Sequence, residues 1–335
     1  MSIFLTILVL CMAYIHSVTN LSVWDFLTNP DSTKEEDLTL IQTMDKDGLQ
    51  FFYLNEKLGH DKRIQMDLNN VSAIVNYWMK GLPLKVTVHG WHGSENAIYG
   101  VYEINDAYIG LGGYNIITVD WSSFASNSEY AYSAALALTV GTGVAVFLEN
   151  VVNLTGILPA DIHLIGYNLG AHVVGRCAYR FGMWKFGRLT GLDPIKILRN
   201  NKDMNVTAFN IDYAKFVDVI HTSGGKFGDM NNLGHTDFYP NSGEVSQPGC
   251  YDSLLPSLEL QKCSQQRAYE YYRDSVIHNN SFIAVYCGSW EFYALHRCDD
   301  PIFLRIPMGH SAKPSPFTMG AYYMYTNDKS PFHGE

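Results

Sequence analysis

The sequence has no internal repeat, no low-complexity tract and no linker-like stretch, which leaves a single domain after any processed leader. Charge is scarce. Asp, Glu, Lys and Arg make up 17% of the chain against 47% hydrophobic residues, a balance that excludes disorder and points to a well-buried core. Positive charge is scarcer still: 23 Lys and Arg face 33 Asp and Glu, for a formal net charge of −10. Such a chain is not built for nucleic acid or for anionic membranes. Cysteine is limited to 6 residues, and 335 residues allow one large α/β domain or two small ones.

Long hydrophobic runs are few, and two matter. Residues 3–15 are apolar and uncharged, with small Ser17 just beyond. This reads as a secretory signal peptide over 1–17, although no Lys or Arg precedes the apolar run. An N-terminal anchor is the alternative. A polar lead-in follows over 18–48, and the domain proper is expected over 49–335. The second run, 130–148, is interrupted by Ser133, Thr139, Gly141, Thr142 and Gly143, and flanked by Glu129 and Glu149. Without a cationic anchor it reads as a buried core helix, so no integral membrane span is expected.

An extracellular location fits the cysteines. Cys11 leaves with the leader. Cys250 with Cys263, and Cys287 with Cys298, close short loops as local disulfides would. Cys177 is then left over as a buried free thiol, with an intermolecular bridge as the alternative. Asn20, Asn70, Asn153, Asn205 and Asn279 head glycosylation sequons.

Through the middle of the chain, strand-like runs alternate with helical ones. Strands are expected at 49–54, 84–91, 114–121, 188–194 and 215–222, with later ones at 281–286 and 322–326. Helices are expected at 70–80, 99–109, 129–154 and 263–274. A Gly/Asn-rich loop is expected over 223–249. The alternation predicts an α/β fold: a mostly parallel, doubly wound sheet with helices on both faces.

The organising stretch is Asp161 to His172. Ile162, Leu164 and Ile165 read as a buried strand around His163, Gly166-Tyr167-Asn168-Leu169-Gly170 as a sharp turn, and Leu169, Val173 and Val174 as the start of a helix. This is similar to the Gly-x-Ser-x-Gly nucleophile elbow of α/β-hydrolases with Asn in the central place. Asn tolerates positive φ and can keep the turn, but it has no hydroxyl with which to attack a carbonyl.

Further blocks extend the likeness in order along residues 49–333: Val88-His89-Gly90-Trp91, Val119-Asp120-Trp121-Ser122, Thr190-Gly191-Leu192-Asp193-Pro194, Phe216 to Thr222, Gly234 to Asn241, Gln247-Pro248-Gly249-Cys250 and Arg267-Ala268-Tyr269-Glu270-Tyr271. With these the chain resembles the neutral, pancreatic-type lipase family, which includes triglyceride lipases, A-type phospholipases and fly yolk proteins. Tyr322 to Asn327 resembles its insect members. The resemblance implies an α/β-hydrolase fold. It also implies three catalytic positions: Asn168 for the nucleophile, Asp193 for the acid and Gln265 for the base, so that no intact triad remains. The oxyanion donors it implies are the backbone amides of Trp91 and Leu169, which do not depend on side chains. His89, His92, His172 and His235, with Ser122 and Ser123, are expected to be structural rather than a relocated machinery.

In the same family a calcium cluster precedes the Phe216 block. Here Asn205 to Asp212 hold one acidic residue, Asp212, too few for an ion that takes about 6–8 oxygens, so neither metal nor cofactor is expected. The family's lid shrinks to Tyr251–Lys262. The expected protein is thus a secreted, catalytically inactive lipase homologue serving as a lipid-binding, storage or interaction protein. Its expected partners are a lipid or fatty-acyl compound or a protein receptor. The alternative is an active carboxylic ester hydrolase with a displaced nucleophile.

Overall fold

The computed structural model describes residues 48–68, 70–94, 100–196, 209–250, 257–314, 317 and 319–334. The leader over 1–17, nearly all of the 18–48 lead-in, and the sequons at Asn20 and Asn205 lie outside these. One sheet carries the fold. Its strands are β1 (Gln50–Leu54), β2 (Ile64–Met66), β3 (Leu84–Val88), β4 (Asn115–Asp120), β5 (Ile162–Tyr167), β6 (Arg188–Leu192), β7 (Val217–Ile220), β8 (Thr236–Pro240), β9 (Ile283–Tyr286), β10 (Arg305–Pro307) and β11 (Gly320–Met324). The spatial order is β10-β9-β11-β8-β7-β6-β5-β3-β4-β1-β2. Pairing is parallel from β4 through β3, β5, β6, β7 and β8 to β11, and antiparallel at both margins. This is the α/β-hydrolase arrangement.

The helices are α1 (Val101–Leu111), α2 (Ser122–Ala125), α3 (Tyr130–Thr155), α4 (Leu169–Phe181), α5 (Ser257–Ile277) and α6 (Trp290–Ala294). On one face α3 and α4 pack together over the centre of the sheet, burying Val86, Val88, Leu164 and Val217. On the other, α1 packs with α5 over Ile165, Ile220 and Phe238. The apolar run at 130–148 is therefore core: α3 is long and apolar enough to cross a membrane, yet 78% of its most apolar window is buried inside the fold. Its glycines serve contact. A Cβ on Gly141 would stand 2.6 Å from the Val173 carbonyl of α4, so the two helices approach more closely than a larger residue permits.

Three expectations need correction. Residues 70–80 do not form a helix. They give a 3₁₀ turn at Val71–Ile74 followed by turns. Asn70 supplies no side-chain cap, and Val75 points outward at 54% exposure, so only one turn has an apolar anchor. The 223–249 loop contains β8, fully buried in the sheet between β7 and β11. The helix expected at 263–274 begins earlier, so Ser257–Lys262 of the expected lid segment belong to α5, while 251–256 lie outside the described residues.

The face under α1 and α5 carries a buried polar layer. Its hydrogen bonds run in one direction. Lys85 Nζ donates to His163 Nδ1 (3.1 Å), His163 Nε2 to Thr190 Oγ1 (2.7 Å), and Thr190 Oγ1 to Asp218 (2.8 Å). Arg188 clamps the same carboxylate with two bonds of 2.8 Å, and Tyr108 of α1 meets Tyr272 of α5 above it. Burial, reinforced by Arg188, lowers the Lys85 pKa to about 7 despite Asp218. Burial and the neighbouring Lys85 and Arg188 hold His163 well below its usual range, so it is the neutral Nε2–H form that the hydrogen bonds require.

An amine that loses its proton near pH 7 in the fold but only near 10 in the unfolded chain weakens stability most below pH 7. The penalty fades as pH rises toward 10. The stability difference between Lys85→Met and the wild type should therefore drift in favour of the wild type between pH 7 and 10, by at most about 1.4 kcal/mol per pH unit. Denaturant unfolding of both proteins across that range measures it, and a pH-independent difference would contradict the buried neutral amine.

Candidate active site

The turn between β5 and α4 is set by two glycines. A Cβ on Gly166 would fall 2.3 Å from the Gly170 carbonyl, and one on Gly170 would fall 2.3 Å from the Val88 carbonyl of β3. Strand, helix and neighbouring strand thus meet at backbone distance. Asn168 lies between them at φ 56°, ψ −119°, a conformation that L-residues rarely hold. Its own N–H donates to the Leu192 carbonyl (3.0 Å), tying the turn to the end of β6.

The Asn168 side chain is 5% exposed and turns inward. Its Oδ1 accepts the Leu169 N–H at 2.6 Å and the Trp91 N–H at 3.1 Å. These are the two amides that the sequence points to as oxyanion donors. The first also begins α4, where the helix presents its positive end. Trp91 can come this close only because residue 90 is Gly: a Cβ there would lie 2.6 Å from the Asn168 Cβ. The Trp91 ring is fixed by its indole N–H to the Asn127 carbonyl (3.0 Å) and by edge contact with Tyr130. A carboxamide oxygen therefore occupies the position where two amides converge.

Asp193 follows β6 at positive φ and has no exposed surface. Its carboxylate accepts the Thr222 N–H (2.8 Å), the Ser223 N–H (2.9 Å), the Ser223 hydroxyl and Gln265 Nε2 (3.2 Å). Burial raises its pKa, and the Ser223 and Thr222 donors only partly oppose that. Gln265 projects from α5 two residues after Cys263, whose disulfide to Cys250 anchors this end of the helix. The second disulfide joins Cys287 to Cys298, and Cys177 is a buried free thiol.

The histidines are engaged elsewhere. His89 Nε2 accepts the Trp121 N–H (3.1 Å), and its Nδ1 donates to the Gly90 carbonyl (2.9 Å). His172 bonds the Ile195 carbonyl, and His235 accepts the Val217 N–H. His92 is exposed. His221, which the sequence did not single out, is buried with Nδ1 on the Asp229 carbonyl (2.7 Å) and Nε2 on Asp237 (2.8 Å). Burial disfavours its charge, but the Asp237 carboxylate prevails and raises its pKa. With both nitrogens donating, it has no lone pair to accept a proton. Among the described residues, no imidazole hydrogen-bonds Asn168 or Asp193.

The structure thus brings Asp193 and Gln265 into contact and joins Asn168 to Trp91 and Leu169. Two features escaped the sequence: the filling of the paired amides by Asn168 itself, and the Ser223 hydroxyl on Asp193. The His221-Thr222-Ser223 run after β7 was the available signal for the second. Of the sequons, Asn70, Asn153 and Asn279 are exposed.

A family model described as Lipase matches residues 17–332. Pancreatic triacylglycerol lipase from Homo sapiens is 30% identical over 304 residues, 84% of this chain and 63% of that protein. Pancreatic lipase-related protein 3 from Homo sapiens is 33% identical over 65% of this chain and 50% of its own length. Lipase member H from Xenopus tropicalis is 32% identical over 63% and 45%. The chain therefore spans between 45% and 63% of the length of these relatives. Among solved structures, MGS-M1, an α/β hydrolase from a Medee basin deep-sea metagenome library, is similar at 15% identity and a TM-score of 0.33, covering 67% of this chain and 78% of that one. The sheet order, the strand–turn–helix at Asn168 and the family match agree: this chain belongs to the lipase family.

Proposed function

We propose that this chain is a secreted, catalytically silent member of its family that acts by binding a lipid or fatty-acyl ligand. The observation that carries the reading is the Asn168 carboxamide between the Trp91 and Leu169 amides. Acyl transfer needs a hydroxyl, a base to take its proton and an acid to orient that base. In this reading Asn168 stands at the nucleophile position, Asp193 at the acid and Gln265 at the base. The Gln265 amide donates to Asp193 as an imidazole N–H would, but it has no group that titrates near neutral pH. Loss of nucleophile or base costs about a millionfold in kcat in a well-studied serine protease, subtilisin. Here the oxyanion donors, which sustain the residual rate in such variants, are also occupied.

The two disulfides support an extracellular location. A lipid ligand is supported by family membership and by the names of the relatives, pancreatic triacylglycerol lipase among them.

Two measurements follow. Asn168→Ser should leave short-chain ester hydrolysis near background, because Gln265 takes no proton. Adding Gln265→His should raise the rate at least ~10²-fold over the single variant. Equal rates for the single and double variants would contradict the assigned base position. Titration of purified protein with a fluorescent fatty acid and with phosphatidylcholine should give saturable binding. No uptake of either would remove the lipid ligand and leave a protein receptor as the partner.

A further inference from the structure

Two of the sequons, far apart in sequence, meet at one groove. Val71 and Ser72 of the Asn70-Val71-Ser72 sequon form one wall, on the 3₁₀ turn after β2. Asn153 and Leu154 of the Asn153-Leu154-Thr155 sequon form the other, in the last turn of α3, with Asn150 beside them. Leu68 completes the lining of an open groove of about 380 Å³. Leu154 is left 41% exposed in it. The Asn153 carboxamide is exposed and makes no hydrogen bond among the described residues. Asn70 instead accepts the Ser72 hydroxyl (3.4 Å) and does not line the groove. None of Asn168, Asp193 and Gln265 lines it either, so it is separate from the candidate active site.

We propose that Asn153 carries an N-linked glycan whose first N-acetylglucosamine lies in this groove and braces α3 against the 3₁₀ turn. The inference rests on the secreted reading of the chain, because the transfer takes place in the secretory pathway. The donor is a lipid-linked pyrophosphate oligosaccharide. Asn153 Nδ2 bonds to C1 of its first sugar, the pyrophosphate leaves with the lipid, and the amide gives up one proton. Transfer acts on the chain before it folds, so the helical setting of Asn153 is no barrier. Once the chain folds, the sugar is already tethered to one wall, and seating it costs little translational freedom. Its ring C–H groups and acetamide methyl cover Leu68, Val71 and Leu154, which removes apolar surface from water. The Ser72 hydroxyl and the Asn150 carboxamide offer donors and acceptors to its hydroxyls and acetamide.

The test uses the full chain expressed in insect cells under mannosidase inhibition, so that endoglycosidase H can trim each glycan to its first sugar. Peptide mass mapping of the secreted protein should find a glycan on Asn153. Asn153→Gln should lower Tm by ~2 °C, whereas trimming the wild type to the first sugar should leave its Tm unchanged. Wild type and Asn153→Gln should melt together once peptide N-glycosidase has removed every sugar. Secreted protein with no glycan on Asn153 would overturn the site and leave the secreted reading standing. A chain that is retained in the cell and unglycosylated would remove both. A glycan on Asn153 with no loss of Tm in Asn153→Gln, or a loss already caused by trimming to the first sugar, would overturn its seat in the groove.

Discussion

One side-chain oxygen ties the centre of this molecule together. Asn168 Oδ1 accepts from the amide that begins α4 and from the Trp91 amide, three residues past the end of β3, so it links two segments far apart in sequence. Each buried amide left without a partner would cost about 1–3 kcal/mol. A hydrolase keeps such a pair open for charge that develops on its substrate, and holds it against that cost by preorganisation. Here the pair is satisfied internally. The unusual backbone of the turn is retained, with Gly166 and Gly170 admitting the close approach. The conformation that aims a residue into a reaction centre now aims a carboxamide at the neighbouring amides.

Asp193 is satisfied in the same way. Asp193 collects two backbone amides, a hydroxyl and the Gln265 amide. A buried carboxylate that must stay satisfied is served as well by the Gln265 amide as by any other neutral N–H donor. His221, the buried imidazole near Asp193, is committed to Asp237 and to the Asp229 carbonyl. Nearer the starts of the strands, Lys85, His163 and Thr190 pass hydrogen bonds toward the Arg188–Asp218 pair. The sheet therefore holds charged groups inside an otherwise apolar frame, and each has a partner that accounts for it.

Much of this was legible in the sequence because it was written in local pattern. The parallel centre of the sheet shows as apolar runs separated by helical spacing, and the Asn168 turn shows as a five-residue motif with one letter changed. What was not legible depended on tertiary contact. β8 sits among Gly, Asn and Pro residues and reads as loop, yet it is held by β7 and β11 on either side. Val71 and Ile74 promise a helix, but the chain offers them one turn of core and no cap. Which atom fills the paired amides depends on the Asn168 side-chain torsion and on how near Gly90 lets Trp91 come. Neither is a property of a motif.

The most direct test of the central claim is turnover by the unmodified protein on p-nitrophenyl butyrate and on phosphatidylcholine, beside Asn168→Ala. A centre without hydroxyl or base predicts rates at background for both proteins. Robust hydrolysis by the unmodified chain that disappears in Asn168→Ala would contradict it.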